Sequence, residues 1–543
     1  MKTSAPRYSY LSLPLAFPAV VLAVTALGLE LWIYFRTGRF GYPLDDPYIH
    51  LAMARHFAES GVFGVSLAGF SASSSSPLWT LLVALSFRIF GHHEIIPFLL
   101  NLGAAAPLGF LLTRHAARHW NAEWKAAAAT SLFLFILPLP TLTGLGMEHT
   151  LHILLILLLV NRVCHPPRES RSFTSHFHLF FLGFAATLTR YETVFVAAPL
   201  LLVLALRRNW TTAAVLAAAC ALPIVMIGEI NLWLGWHFFP NSILMKSVLG
   251  VSGWDQVIQI AKRLYGQLFG SPHLLLPFVF SMGAGLSALR GDPGFTSPAT
   301  VRNFVFPVAL VLHCSLALIG WFYRYEAYLL ALAWMALVPF IHTPTRWYRD
   351  VWFAATPFLN RAVIRTALAG SLFLGLVPYW DNLQSIRLIG PGAENVHHQQ
   401  YQMGLFLRTY YHGATVAAND IGAINYLADI ECLYLMGLGS REPGWANSQG
   451  RWGSAFIESW CRQRNAVIAV IYESWLRRGL PDSWIKIGEW TVEQKVTVAD
   501  TTVSFFALTP EEAPRLRARL EEFAARLPAG VQVKYMDAVK NPE

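Results

Sequence analysis

Through the first 396 residues, long apolar runs alternate with short polar stretches, and beyond them the apolar runs shorten to a few residues. Eleven of the long runs read as membrane-spanning helices: about 13–35, 95–113, 126–143, 148–161, 177–189, 191–206, 212–234, 272–289, 303–322, 326–341 and 362–380. The apolar piece 77–90, PLWTLLVALSFRIF, falls short of the roughly 20 residues a span needs and reads as an interfacial or re-entrant helix. The run 177–206 is interrupted at Thr189-Arg190-Tyr191-Glu192 and reads as two short helices meeting there. The first run exceeds the roughly 7–15 apolar residues of a cleavable signal, so it reads as an uncleaved span. From residue 397, short β-rich runs (Thr415–Ala418, Cys432–Met436, Ala466–Tyr472, Val496–Ala499, Val503–Leu508) alternate with helical stretches, the last at 511–526. The pattern predicts a polytopic α-helical membrane domain over 1–396, with about eleven transmembrane helices plus interfacial helices, then a small α/β domain over 397–543.

Composition sharpens this picture. Of 543 residues, 55% are hydrophobic and 13% charged, against about 25% charged in soluble domains. That excludes a single soluble globule, a disordered chain and a disulfide-stapled secreted module. Residues 1–396 hold 26 Lys and Arg against 16 Asp and Glu, and 397–543 hold 15 against 16. With the N-terminus inside, and with Glu148, Glu192, Glu326 and Arg365 at span ends counted with the side they border, the inner segments carry 16 basic and 4 acidic residues, and the outer segments before 397 carry 10 of each. This is the asymmetry of cytoplasmic loops and calls for no nucleic-acid partner. The larger hydrophilic segments, 36–94, 235–271 and the tail, then face outside, and function is expected there. Cys432 and Cys461 share the tail and would pair only in an oxidising compartment; two buried free thiols are the expected state.

The outer segments carry the candidate chemistry. Asp45 and Asp46 follow the first span; adjacent carboxylates push their proton affinities apart, and an ionised one can take a proton from a hydroxyl. Asp45 also reads as a helix cap ahead of Pro47. Glu148 and His149 open the fourth span at the same depth. Arg190 and Glu192 sit at the break in 177–206, where ionisable groups in a membrane segment are functional candidates by default or an ion pair that orders the break. Asn241 and Lys246 follow Pro240, and Arg324, Tyr325 and Glu326 end the ninth span. Arg and Lys at an interface can hold a phosphate or merely snorkel. Asp420 follows a predicted strand, where α/β sheets bind ligands or a helix is simply capped. There is no phosphate-binding Gly-rich loop, no Gly-x-Ser-x-Gly and no His-Glu-x-x-His. With no cytoplasmic domain to seat a nucleotide, an activated substrate is expected through the bilayer.

These pieces together resemble a known family. Asp45-Asp46, then Met53-Ala54-Arg55, then Ser75-Ser76-Pro77-Leu78-Trp79, look like the first outer loop of GT-C-class glycosyltransferases, nearest the bacterial arabinofuranosyltransferase/mannosyltransferase-like branch. Gly146-Met147-Glu148, Leu188-Thr189-Arg190-Tyr191-Glu192, Pro240-Asn241 with Lys246, and Asn419-Asp420-Ile421-Gly422-Ala423 follow in matching order, so the resemblance spans most of the chain. It implies a multi-pass protein of the bacterial inner membrane, with its active site and tail extracytoplasmic, a polyprenyl-phosphate sugar donor and a cell-envelope glycan or glycolipid acceptor. It implies that Asp45 or Asp46 is the general base of an inverting transfer. Lys246, Arg190, Arg324 and Arg55, in that order, would hold the lipid phosphate. Glu148 would orient a substrate, with His149, Glu192, Asn241, Tyr325, Glu326 and Asp420 nearby. Some relatives use a divalent cation at the acidic loop; no ligand set here demands one. Tyr191 stands where the family often has Pro, and a run of Ser precedes Pro77 where Thr is common, which leaves sugar and acceptor open. A transporter or flippase of a lipid-linked sugar or anion, and a non-catalytic glycan-binding scaffold, are the rival readings.

Overall fold

The computed structural model describes residues 12–167, 172–244, 253–341, 384–477 and 479–536. Helix α1 (Leu13–Thr37) stops at Gly38. The segment after it folds into α2 (Asp46–Ser60) and α3 (Pro77–Phe90), each with a proline in its first turn and a glycine just past its last. There follow α4 (Ile96–Trp120), α5 (Glu123–Ile136), α6 (Leu139–Gly144), α7 (His149–Cys164), α8 (Phe173–Thr189), α9 (Thr193–Leu206), α10 (Trp210–Trp233), α11 (Asn241–Leu244), α12 (Trp254–Phe269), α13 (Pro272–Gly291), α14 (Pro298–Leu316) and α15 (Ala327–Ile341).

Among the described residues, five helices are long and apolar enough to cross a membrane: α1, α4, α10, α13 and α14. Helices α3, α7, α9 and α15 are shorter and apolar. The polytopic helical fold is therefore present, while the count of eleven spans does not appear as eleven long helices. The run 126–143 is two helices, α5 and α6, parted at Leu137-Pro138, where proline cannot continue the hydrogen-bond ladder. The span expected at 362–380 lies outside the described residues. The interrupted run behaves as expected, with α8 and α9 meeting at Arg190–Glu192. Helix α3 coincides with the 77–90 run and buries Trp79, Val83 and Phe87 with Leu51 and Ala54 of α2.

A helix over 384–398, running across the expected domain boundary, and the helix Gln400–Tyr410 lead into the sheet. Its strands are β1 (Thr415–Ala418), β2 (Glu431–Tyr434), β3 (Ile468–Ile471), β4 (Ile485–Val492), β5 (Thr502–Ala507) and β6 (Val531–Tyr535). Their order is β2-β1-β3-β5-β4-β6. Strand β1 runs parallel to both β2 and β3, and the other pairs are antiparallel. The strand expected at Val496–Ala499 is a bend instead. Strands β4 and β6 escape the apolar pattern for physical reasons: β4 slips register between Lys486 and Gly488, and β6 is a half-buried edge strand reading VQVKY. All five cysteines are free and buried, Cys432 and Cys461 included.

Candidate functional site

The adjacent aspartates acquire different partners. Asp45 makes no capping bond within its own helix. Its carboxylate instead accepts the backbone N–H of Gly422 at 2.6 Å and of Ala423 at 2.8 Å. Those donors open a short helix past the carboxyl end of β1, the strand flanked by β2 and β3, where α/β sheets leave a crevice. Asp45 plugs that crevice. A Cβ on Gly422 would stand 2.2 Å from the Asp45 carbonyl oxygen, so the close approach requires glycine. Asp420 lies beside it, accepting from Gln400 Nε2 at 3.0 Å. Burial and the adjacent Asp45 charge push the Asp420 carboxyl well above the usual carboxylate range, and burial raises Asp45 as well. Asp45 accepts two N–H bonds that favour its charged form, so the stronger upward push falls on Asp420.

Asp46 faces the membrane domain. Its Oδ2 accepts from Nη2 of Arg324, a side chain 3% exposed where that of Asp46 is 40% exposed. The same nitrogen donates to the Tyr325 hydroxyl at 2.8 Å, and Arg324 Nη1 lies 2.9 Å from Met147 Sδ. Arg324 follows three residues in left-handed conformation, Trp321, Phe322 and Tyr323, with φ of 52°, 63° and 56°. Such residues cost roughly 1–2 kcal/mol each and persist where their surroundings hold them. Glu326 supplies the staple: it accepts the Gly320 N–H at 2.9 Å and lies 3.4 Å from His273, whose ring meets that of Tyr323 edge-on at 5.2 Å.

The third acid is Glu148, fully buried just ahead of α7. It accepts from Arg190 Nη1 at 2.6 Å and lies 3.7 Å from His50 Nε2. Arg190 also donates to Glu192. His50 Nδ1 is 2.8 Å from the Thr80 hydroxyl, and burial lowers the imidazole's pKa, so Arg190 carries the charge opposite Glu148. The Arg190 and Arg324 guanidiniums lie 5.6 and 4.8 Å from the centre of the Tyr325 ring. His149 meets the same ring edge-on at 6.1 Å. Asp46, Arg324, Tyr325, Arg190, Glu148 and Glu192 thus form one continuous cluster.

Arg190, Glu192 and Tyr325 line an open cleft of about 150 Å³. Ser75 and Ser242 add hydroxyls, while Val194, Phe195, Ile243 and Leu316 give it an apolar wall.

Other expected residues lie elsewhere. Arg55 donates to Asp429 and fastens α2 to the sheet domain, away from the cleft. Asn241 bridges domains, donating from Nδ2 to the Gly437 carbonyl at 2.5 Å. Lys246 lies outside the described residues. His50, Thr80, Ser75, Ser242 and Met147 join the site in the structure; of these, Met147 and the serine tract before Pro77 stood in the quoted motifs, and the others left no mark in the sequence. Among the described residues no group of three or more His, Cys, Asp or Glu is placed to hold a metal ion. Asp45 and Asp46 are met by N–H donors and a guanidinium, a set that suits a carboxylate rather than a cation ligand.

The profile of a "Domain of unknown function (DUF8728)" matches residues 393–506, the stretch from the approach helix through β5. No curated protein matches the chain. Among solved structures, ArnT from Cupriavidus metallidurans bound to undecaprenyl phosphate is similar over 91% of this chain and 98% of that one, with a TM-score of 0.54 at 14% identity. Its apo form gives 0.50 at 13% identity, with the same coverage. The archaeal oligosaccharyltransferase AglB from Archaeoglobus fulgidus, in complex with an inhibitory peptide and a dolichol-phosphate, gives 0.45 at 12% identity, over 95% of this chain and 75% of that one. The likeness to ArnT shows that this chain shares its fold.

Proposed function

We propose that the protein is a membrane glycosyltransferase that moves a sugar from a polyprenyl-phosphate carrier to a hydroxyl of a cell-envelope glycan or glycolipid. The observation that carries this reading is the cluster beside the cleft: a half-exposed carboxylate, Asp46, bonded to Arg324, which lies against the same Tyr325 ring as Arg190 on the cleft's partly apolar wall. The apolar wall suits the carrier's first isoprene units, and Arg190 and Arg324 suit its phosphate. ArnT was crystallised with such a carrier. In the proposed step the acceptor oxygen attacks the anomeric carbon while Asp46 takes its proton. The bond from that carbon to the phosphate oxygen breaks, and the electron pair leaves with the polyprenyl phosphate, held by the arginines. Attack opposite the leaving group inverts the anomeric centre. Glu148 and Glu192 fix the orientation of Arg190; Lys246 is assigned to the same phosphate from the sequence alone. The reaction centre and the sheet domain lie on the extracytoplasmic side of a bacterial inner membrane, with the N-terminus cytoplasmic.

The test is carrier binding by the protein in nanodiscs. Hydrogen bonds to charged groups contribute about 1.5–3 kcal/mol, roughly 10- to 100-fold in affinity. Arg190→Ala and Arg324→Ala are each expected to weaken undecaprenyl phosphate binding by that factor. Unchanged affinity in both removes the cleft from the carrier site.

A further inference from the structure

A second, shallow cleft of about 220 Å³ opens between the sheet domain and the loops of the membrane domain. Its walls are the α2–α3 loop at 66–71, Trp236, the β2 strand and the turn at 439–442. Side-chain bonds hold these walls together. Ser73 donates to the Leu438 carbonyl at 3.0 Å, and Arg441 Nη1 to the Gly235 carbonyl at 3.3 Å. At Gly235, φ is +78° and a Cβ would stand 2.7 Å from that same nitrogen, so the contact needs glycine. The cleft is therefore built by domain docking, and interdomain clefts are favoured ligand sites.

Its lining has a specific chemistry. Trp236 and Phe70 meet edge-on at 6.2 Å, and Trp460 faces the same space. Two ion pairs stand beside them, Glu431 with Arg464 and Arg441 with Glu442, each partly exposed. Paired charges give a polyanion or polycation little advantage. Carboxylates and guanidiniums present acceptors and forked donors to hydroxyls, and the largely buried rings give the floor a small apolar component. The position is also informative. Ser71 lines this cleft and Ser75 the carrier cleft; four residues of chain span at most about 14 Å.

We propose that this cleft binds the acceptor as an uncharged glycan chain of several sugar units, whose end reaches the carrier cleft. This rests on the transfer reading for the word acceptor, but not for the binding.

The test uses the full-length protein in nanodiscs without donor. Neutral hexose and pentose oligomers of one to six units, a uronic-acid oligomer and a short peptide are titrated by saturation-transfer NMR. Neutral oligomers are expected to bind, with the hexamer at least tenfold tighter than the monomer. Glu442→Ala and Arg464→Ala, both at partly exposed positions, are each expected to weaken that binding at least fivefold. In turnover they raise acceptor KM by the same factor, with kcat and carrier affinity retained. Unchanged glycan affinity in both variants, or preference for the peptide or the uronic-acid oligomer, overturns the proposal. Glycan binding that maps to the cleft in a protein without turnover supports the cleft and counts against the transfer reading. Wild-type acceptor KM in both variants leaves transfer standing and removes the cleft.

Discussion

Arg324 donates to the carboxylate of Asp46, and the pair joins a nearly inaccessible guanidinium to an acid with open space beside it. Asp45, its neighbour in sequence, is committed to the backbone of Gly422 and Ala423. Of the two, only Asp46 has both room for an incoming hydroxyl and a link to the cleft. Asp46→Asn is expected to lower kcat by about 10²- to 10⁴-fold, the usual contribution of a general base, with carrier affinity retained. Asp45→Asn is expected to lower the melting temperature more than kcat. Single-turnover kinetics with thermal melting of both variants checks the assignment; equal losses of kcat would contradict it.

The Arg190–Glu148 contact is a buried ion pair. Removing one partner of such a pair costs about 3–5 kcal/mol, because the other charge is left uncompensated. Glu148→Gln is expected to destabilise the fold on that scale, and the double variant Glu148→Gln/Arg190→Gln, which strands the Glu192 charge, to lose more. Glu192 remains with Arg190 in the single variant, so the loss should fall at the lower end. Denaturant melts read this directly.

Docking of the sheet domain is expected to depend on pH. Asp420 has a raised pKa in the folded protein, through burial and the Asp45 charge, against about 3.9 in an unfolded chain. Between those two values the folded state holds a proton that the unfolded chain has released. The Asp420 contribution to stability is therefore fully present below about pH 4 and is lost as pH rises through the raised value. Asp420→Asn, which keeps a donor without the charge, is expected to flatten this slope. Melting temperatures from pH 4 to pH 9 give the answer; parallel curves for wild type and variant would contradict it.

The acidic loop, the Arg190–Glu192 break and Arg324 were legible because ionisable residues beside long apolar runs are rare and costly. The division between Asp45 and Asp46 was not, since the partner of Asp45 lies 377 residues away in sequence. His50 gave no signal of its own, because a histidine on an apolar helix face looks like any core residue. The three left-handed residues before Arg324 also gave no signal: Trp, Phe and Tyr are not residues that announce positive φ. The architecture was readable from hydropathy, while the α5–α6 break and strands β4 and β6 depend on proline placement, a register slip and an exposed edge.

That left-handed turn yields its own prediction. Trp321 is half exposed, so glycine there removes little packing and relieves a strained φ. Trp321→Gly is expected to leave stability unchanged or raise it by up to about 1 kcal/mol. A clear loss in thermal melting would mean that the Trp321 side chain itself holds the turn.

The most direct measurement is single turnover of a polyprenyl-phosphate sugar panel by the protein in nanodiscs, with envelope glycan acceptors, read by mass spectrometry and NMR of the product linkage. The account predicts free polyprenyl phosphate released one-for-one with a glycan one sugar heavier, its new linkage inverted, and neither product from Asp46→Asn. Lipid-linked sugar that crosses proteoliposome membranes intact, with no free carrier and no heavier glycan, would make the protein a transporter and contradict it.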